Sequence, residues 1–146
     1  MKLPSWLVQT IKEFKAKNKR YSKPCEAESN CWEVSTDFYQ HLKHIALEQG
    51  STSNIIKVCF NRQCVGRGRC TSDGYGEVGH SHNVTFLFPF ELTRLPKYEA
   101  DHRFNHVVLP DHKSAINIDF TARQFNAKLS FPLVWERGTN TPITIR

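Results

Sequence analysis

Two runs of alternating residues, separated by a turn, constrain the fold of this chain more than any other feature. The first run is Phe104 to Leu109 and the second is Ala115 to Thr121, with Pro110 to Ser114 between them. Alternation of apolar and polar residues is typical of strands, so the pattern predicts an antiparallel hairpin. A turn centred between His112 and Lys113 would set its register.

That register divides the hairpin into two faces. One face is apolar and should cover a core; it carries Val107, Leu109, Ile116, Ile118 and Phe120. The other face carries His106, Asn117, Asp119 and Thr121, and it places His106 directly opposite Asp119. Opposed residues have Cβ atoms about 4.5–5.5 Å apart, so the pattern predicts an imidazole held by a carboxylate. A solvated His–Asp pair on the protein surface would leave the same pattern.

Two helices are predicted before the hairpin. Ser5 to about Lys17 forms the first, because Leu7, Ile11 and Phe14 make one apolar stripe. The second should begin at Cys31, with Asn30 as its N-cap and Glu33 in the capping-box position, and should stop at Gln49-Gly50. One face of this second helix then carries Cys31, Ser35, Phe38, Leu42 and Ile45.

The rest of the chain is predicted to be mostly strand. Strands are expected at Asn54 to Phe60 and His82 to Phe90, with short ones at Phe131 to Trp135 and Ile143 to Ile145. Asn61 to Gly79 is rich in glycine and is expected to be a long mobile loop. Helices followed by neighbouring strands indicate an α+β fold, with N-terminal helices packed on an antiparallel sheet in one domain over residues 1–146.

Composition excludes some classes of protein. The chain has 146 residues, 23% of them charged, and a net charge of +6, as expected of a folded domain rather than a disordered tail. No segment approaches the roughly 20 apolar residues of a membrane span, and no secretory signal is visible. The odd number of cysteines, five, prevents complete internal pairing. We therefore expect free thiols in a reducing cytoplasm, with no membrane contact.

Cys31 is the candidate nucleophile. It stands at the first turn of the second helix, where unpaired N–H groups and the helix dipole stabilise a thiolate. With His106 as base and Asp119 as the residue that orients the histidine, it would complete the set of groups used by thiol acyl-transfer enzymes. A buried structural cysteine is the alternative.

These residues carry a resemblance to a family. The segment Cys31-Trp32-Glu33-Val34-Ser35 resembles the Cys-Trp-x-x-Ser that begins the central helix of papain-like cysteine peptidases. The segments Asn105 to Leu109 and Ile118 to Phe125 are similar to papain-fold toxin and protein-deamidase domains of bacteria, and to transglutaminase-like proteins. In those proteins a histidine strand precedes an Asp-x-Thr strand with a glutamine just beyond.

The resemblance implies a papain-like core and a Cys-His-Asp thiol hydrolase without cofactor or metal. It favours a protein glutamine deamidase, with a cysteine protease or transglutaminase as the alternatives. Asn30, Trp32 and Gln124 are then candidates for substrate or oxyanion contacts. Papain-type peptidases carry an oxyanion glutamine about six residues before the nucleophile, where this chain has Cys25. A bacterial or phage toxin or effector of this kind would act on a protein substrate, within or delivered into a target cytoplasm, and could have an inhibitor or immunity protein as partner.

Two other interpretations use the middle of the chain. A zinc site could be formed by Cys59, Cys64, Cys70, His80 and His82, although none of these cysteines forms a Cys-x-x-Cys pair. A basic module could contact nucleic acid through Arg62, Arg67 and Arg69, for which a solvated loop is the simpler explanation. A papain-like fold without activity, used for protein interaction, is a third hypothesis.

Overall fold

The computed structural model describes residues 1–60, 69–75, 81–87, 102–139 and 141–146, and for residues 56–60, 69–75 and 81–87 it describes the backbone alone. Within these residues, three α-helices come first: α1 (Ser5–Lys17), α2 (Pro24–Ala27) and α3 (Cys31–Glu48). Six described strands follow: β1 (Asn54–Phe60), β2 (Arg69–Tyr75), β3 (Ser81–Leu87), β4 (His102–Val108), β5 (Ala115–Asp119) and β6 (Leu133–Glu136).

These strands form one antiparallel sheet in the order β3-β2-β1-β4-β5-β6. Strand β4 therefore lies in the middle, between β1 and β5. The predicted α+β class and antiparallel sheet are confirmed. The helix α3 packs against β1 and β4, which brings the start of α3 close to the strand that begins at His102.

The core lies between the helices and one face of the sheet. The stripe of α1, made by Leu7, Ile11 and Phe14, is buried as predicted. The predicted apolar face of the hairpin is also buried, and its members join the same cluster: Val107, Leu109, Ile116, Ile118 and Phe120. Phe38 and Leu42 of α3 belong to this cluster as well, and burying a large apolar side chain contributes about 1.5–3 kcal/mol, so these contacts hold α3 against the sheet.

Helix α3 begins and ends as predicted, although one detail of its start differs. The Asn30 amide donates to the carbonyl of Glu26 at 2.7 Å and makes no capping hydrogen bond. At the other end, Gly50 has φ +63°, and the N–H of Ser51 bonds to the carbonyl of Ala46. Glycine adopts this left-handed conformation without strain, which explains why the helix stops there.

One loop prediction and one strand prediction need correction. Strand β2 lies inside the predicted mobile loop, where its polar sequence gives no apolar alternation, and pairing with β1 and β3 on its two sides holds it in the sheet. The strand predicted from His82 to Phe90 is described as Ser81–Leu87, and residues 88–90 lie outside the described part of the chain. Near the C-terminus, Pro142 forms an isolated bridge with Trp135, and the strand predicted at Ile143 to Ile145 does not form.

The register of the hairpin also differs from the prediction. The N–H of Leu109 bonds to the carbonyl of Ser114, so the turn is centred between Asp111 and His112, one residue earlier than expected. Asp111 Oδ1 accepts from the N–H groups of Lys113 and Ser114 at 2.9 and 2.8 Å, while His112 adopts a left-handed φ of 58°. Such side-chain bonds to the backbone fix a turn locally. The pairing therefore slides by two residues, which preserves the faces but changes every partner.

None of the helices in the described part of the chain is long and apolar enough to span a membrane.

Candidate active site

Three elements meet at one edge of the sheet and supply one side chain each. Strand β4 begins at His102, and its antiparallel neighbour β5 ends at Asp119, so these two residues lie at the same edge. The first residue of α3 is Cys31, and α3 packs on β4. The structure thus brings together a thiol, an imidazole and a carboxylate.

His102 is held by Asp119. Its Nε2 lies 2.5 Å from Oδ2 of Asp119, and both side chains are almost completely buried. Asp119 Oδ1 accepts from the N–H of Thr121 at 2.9 Å and from its hydroxyl at 3.2 Å. Both carboxylate oxygens are therefore occupied, which fixes the carboxylate and, through it, the plane of the imidazole.

The short segment after β5 completes the surroundings of the imidazole. Ala122–Gln124 forms a 3-10 turn, and Nε2 of Gln124 lies 3.4 Å from Nδ1 of His102. The ring of Phe125 packs edge-on against His102, with centroids 4.5 Å apart. Since Nε2 faces Asp119, Nδ1 is the nitrogen through which His102 can exchange a proton with Cys31.

The electrostatics of Cys31 favour a thiolate. Burial raises the pKa of the Cys31 thiol, but a hydrogen bond from His102, the charge of His102 and the backbone N–H of Arg103 outweigh burial and bring it below its ordinary value. For His102, burial lowers the pKa, but the charge and hydrogen bond of Asp119, together with Cys31, raise it to about 9. A thiolate beside an imidazolium is the form that these two opposite shifts support.

His106 does not take the predicted place. It lies opposite Asn117, and its Nδ1 is 2.7 Å from Asn117 Oδ1, so the predicted contact with Asp119 is wrong. Burial lowers the pKa of His106, which favours a neutral ring that donates to the amide oxygen. The reason is the turn at Asp111, which moves the pairing by two residues. His102 and His106 are four residues apart on β4, so their side chains lie on the same face of the sheet. This shared face was the signal in the sequence that could have pointed to His102.

The predicted polar face is also not a solvated surface. His106, Asn117, Asp119 and Thr121 are each no more than 3% exposed. Burying a polar group without a hydrogen-bond partner is costly, so a carboxylate and imidazoles that are buried together must form hydrogen bonds with one another or with neighbouring groups. The site is therefore a buried polar network rather than an incidental pair on a surface.

The three residues predicted to contact substrate or the oxyanion are placed differently from one another. The Asn30 amide turns back to the carbonyl of Glu26. Trp32, which is 55% exposed, lies beside Cys31 with the guanidinium of Arg103 stacked 3.2 Å from its ring centroid. Gln124 is buried next to His102. Of the three, Gln124 and Trp32 border the thiol–imidazole pair.

Half of the residues of the zinc and nucleic-acid interpretations fall outside the described part of the chain: Cys64, His80, Arg62 and Arg67. Four others lie in strands whose backbone alone is described: Cys59, Cys70, His82 and Arg69. Among the described residues, no group of three or more His, Cys, Asp or Glu side chains is placed to hold a metal ion.

The arrangement has the parts needed for acyl transfer. A half-buried thiol sits against a base, and the base is oriented by a carboxylate that is itself held by two hydrogen bonds. Among the described residues, neither Cys25, which is exposed, nor Cys31 forms a disulfide. No protein-family model, curated protein or solved structure matches this chain.

Proposed function

We propose that this protein is a cysteine-dependent acyl-transfer hydrolase with Cys31 as nucleophile, His102 as base and Asp119 as the orienting carboxylate. The observation that carries the proposal is the chain of contacts from the Cys31 thiol through His102 to Asp119. His102 replaces His106, the histidine expected from the sequence. The segments around Cys31 and Asp119 resemble those of papain-like peptidases and papain-fold deamidase domains, and this resemblance supports a papain-like core.

The reaction begins when the Cys31 thiolate attacks the carbon of a carboxamide or peptide carbonyl. The carbonyl π electrons move to its oxygen, and the tetrahedral adduct then breaks its C–N bond while His102 gives its proton to the departing nitrogen. A thioester on Cys31 remains. Neutral His102 next takes a proton from water, whose oxygen attacks the thioester. The tetrahedral adduct then breaks its C–S bond, which restores the thiolate beside the imidazolium and releases a carboxylic acid that loses its proton to solvent.

Asp119 supports both halves of this cycle without bonding to substrate. Its charge stabilises the imidazolium, and its hydrogen bond keeps the proton on Nε2 while Nδ1 exchanges protons with the reacting groups. Thr121 holds the carboxylate through its N–H and its hydroxyl. This accounts for the Asp-x-Thr pattern at Asp119-Phe120-Thr121 in physical terms.

The substrate class that we propose is the carboxamide of a protein glutamine, so that the leaving group is ammonia. Support comes from the similarity of the Asp119 segment, including Gln124, to protein-deamidase domains. A partly exposed nucleophile with an exposed Trp32 at its side also fits a protein substrate better than a small enclosed ligand. The enzyme requires a reduced Cys31 and therefore a reducing compartment.

Mass spectrometry of a pool of glutamine-containing peptides tests the proposal. Deamidation adds about one dalton per glutamine and releases ammonia, whereas proteolysis splits the peptide and transglutamination adds an amine. We expect the one-dalton gain with the wild type and with Cys25→Ser, and none with Cys31→Ser. Gain of mass that persists in Cys31→Ser would contradict the assignment of the nucleophile, and peptide cleavage would contradict deamidation.

A further inference from the structure

Asn105 is a buried polar residue in the contact between β4 and α3. It is 2% exposed and lies opposite Ile118, so it shares the apolar face of the sheet with the core residue Val107. Its amide Nδ2 donates to the main-chain carbonyl of Ser35 at 3.0 Å. Neither the catalytic cycle nor the hydrophobic core requires an amide at this position.

An amide in an apolar layer has a specific consequence. Burial of such a group is unfavourable unless it is hydrogen bonded, and its net contribution to stability is modest even when it is bonded. Apolar contacts allow a helix to slide on a sheet, whereas a hydrogen bond has a narrow range of length and direction. The bond from Asn105 therefore ties one point of α3 to one point of β4.

The position of this tie relates it to the active site. Ser35 follows Cys31 by one turn of α3, and Asn105 follows His102 by three residues along β4. A four-residue step along a helix is about 6 Å. The tie is thus one helical turn from the thiol, on the same two elements that carry the thiol and the imidazole.

A second attachment lies nearer the thiol. The guanidinium of Arg103 stacks on Trp32, and the backbone N–H of Arg103 contacts the sulfur of Cys31. Residues next to the nucleophile are thereby joined to residues next to the histidine at two places, Trp32–Arg103 and Ser35–Asn105. Of the two, the buried Asn105 bond is shielded from solvent and is the more directional.

We propose that Asn105 is a positioning residue, whose hydrogen bond to Ser35 sets the placement of α3 along β4 and hence the contact between Cys31 and His102. This role rests on the proposed function and deepens it. Asn105 touches neither substrate nor the reacting atoms. It acts by keeping the thiol within reach of the imidazole, so its loss changes the ionisation of Cys31 before it changes the fold.

The test is the pH dependence of Cys31 alkylation by iodoacetamide in Asn105→Leu, a substitution of similar size that removes the donor. We expect a folded protein in which the pH midpoint of Cys31 alkylation moves upward by about one unit, equivalent to an approximately tenfold lower rate at pH 6. Leu42→Ala is the matched control, because Leu42 is a fully buried residue of α3 two turns beyond Ser35. It should lower stability at least as much and leave the midpoint unchanged.

A folded Asn105→Leu protein with the wild-type midpoint overturns the proposal. If this variant does not fold, Asn105→Ala, which cannot overpack the core, is judged by the same criterion. Failure of both to fold identifies the bond as a stabilising one and also overturns the positioning role. Failure of the proposed function is distinguishable, because it appears in the wild type, as Cys31 alkylation no faster than that of Cys25.

Discussion

Replacing Asp119 by asparagine should separate the charge of the carboxylate from its hydrogen bond. The pKa of His102 rises from 6.5 to about 9, which corresponds to about 3 kcal/mol of stabilisation of the imidazolium, with Asp119 the strongest stabilising partner. Asparagine retains an oxygen that can accept from Nε2 but loses the charge. Burial of His102 would then favour the neutral ring, and Cys31 would lose its cationic partner.

The assay is the rate of Cys31 alkylation at pH 6, measured by peptide mapping with the exposed Cys25 as internal reference. We expect Asp119→Asn to lower the rate about 100-fold, which is somewhat less than the full shift in the pKa of His102 would allow. The difference should narrow toward pH 10, where hydroxide ionises the thiol directly. Asp119→Ala should lower the rate at least as far, because it also removes the acceptor of the Thr121 bonds.

A direct effect of Asp119 on Cys31 would act in the opposite direction. The charge of Asp119 acts on Cys31 directly as well, and that smaller effect raises the pKa of the thiol. If it dominated, Asp119→Asn would alkylate faster than the wild type at pH 6. A rate within threefold of the wild type in a folded variant would show that the carboxylate does not sustain the imidazolium.

Three further predictions concern the hydrogen bonds of Thr121, the pH dependence of stability, and Gly50 at the other end of α3. Thr121→Val removes the hydroxyl, one of the two groups through which Thr121 donates to Asp119, and should lower the rate of Cys31 alkylation at pH 6 several-fold, whereas Thr121→Ser should retain the wild-type rate. Because the folded pKa of His102 is raised from 6.5 to about 9, its contribution to stability is full below pH 6.5 and is lost progressively as the pH rises to about 9. The Tm should therefore fall more steeply across pH 6.5–9 in the wild type than in His102→Gln. Gly50→Ala places a side chain at φ +63° and should destabilise the fold by about 1 kcal/mol in denaturant titration, with Cys31 alkylation unchanged.

Helices α1 and α3 could be predicted because their signals are local, whereas the four-residue helix α2 lies in a stretch expected to be a connecting loop. The α1 stripe and the stop at Gly50 depend on residues within a turn or two of each other, and both helices begin and end close to the predicted residues. Strand β2 could not be predicted in this way. Its residues, Arg69–Tyr75, show no apolar alternation, and the pairing that holds them comes from strands distant in sequence.

For the candidate site, the sequence predicted the face on which each residue lies but not its partner on the neighbouring strand. Faces follow from alternation, so Asp119 and the buried apolar residues fell on the correct sides of the hairpin. Partners depend on where the turn is centred, and here a single side chain, Asp111, decides this by accepting two backbone N–H groups. A shift of two residues keeps the faces, and so the sequence pattern did not distinguish His102 from His106.

The most direct test of the account compares two histidines on the same strand. His102 and His106 are both buried members of β4, so His102→Gln and His106→Gln form a matched pair. The measurement is Cys31 alkylation by iodoacetamide from pH 5 to 9 in the wild type and both variants. We predict that wild-type Cys31 reacts faster than Cys25 at pH 6, that His102→Gln abolishes this advantage, and that His106→Gln retains it. Loss of the advantage in His106→Gln and its retention in His102→Gln would contradict the account.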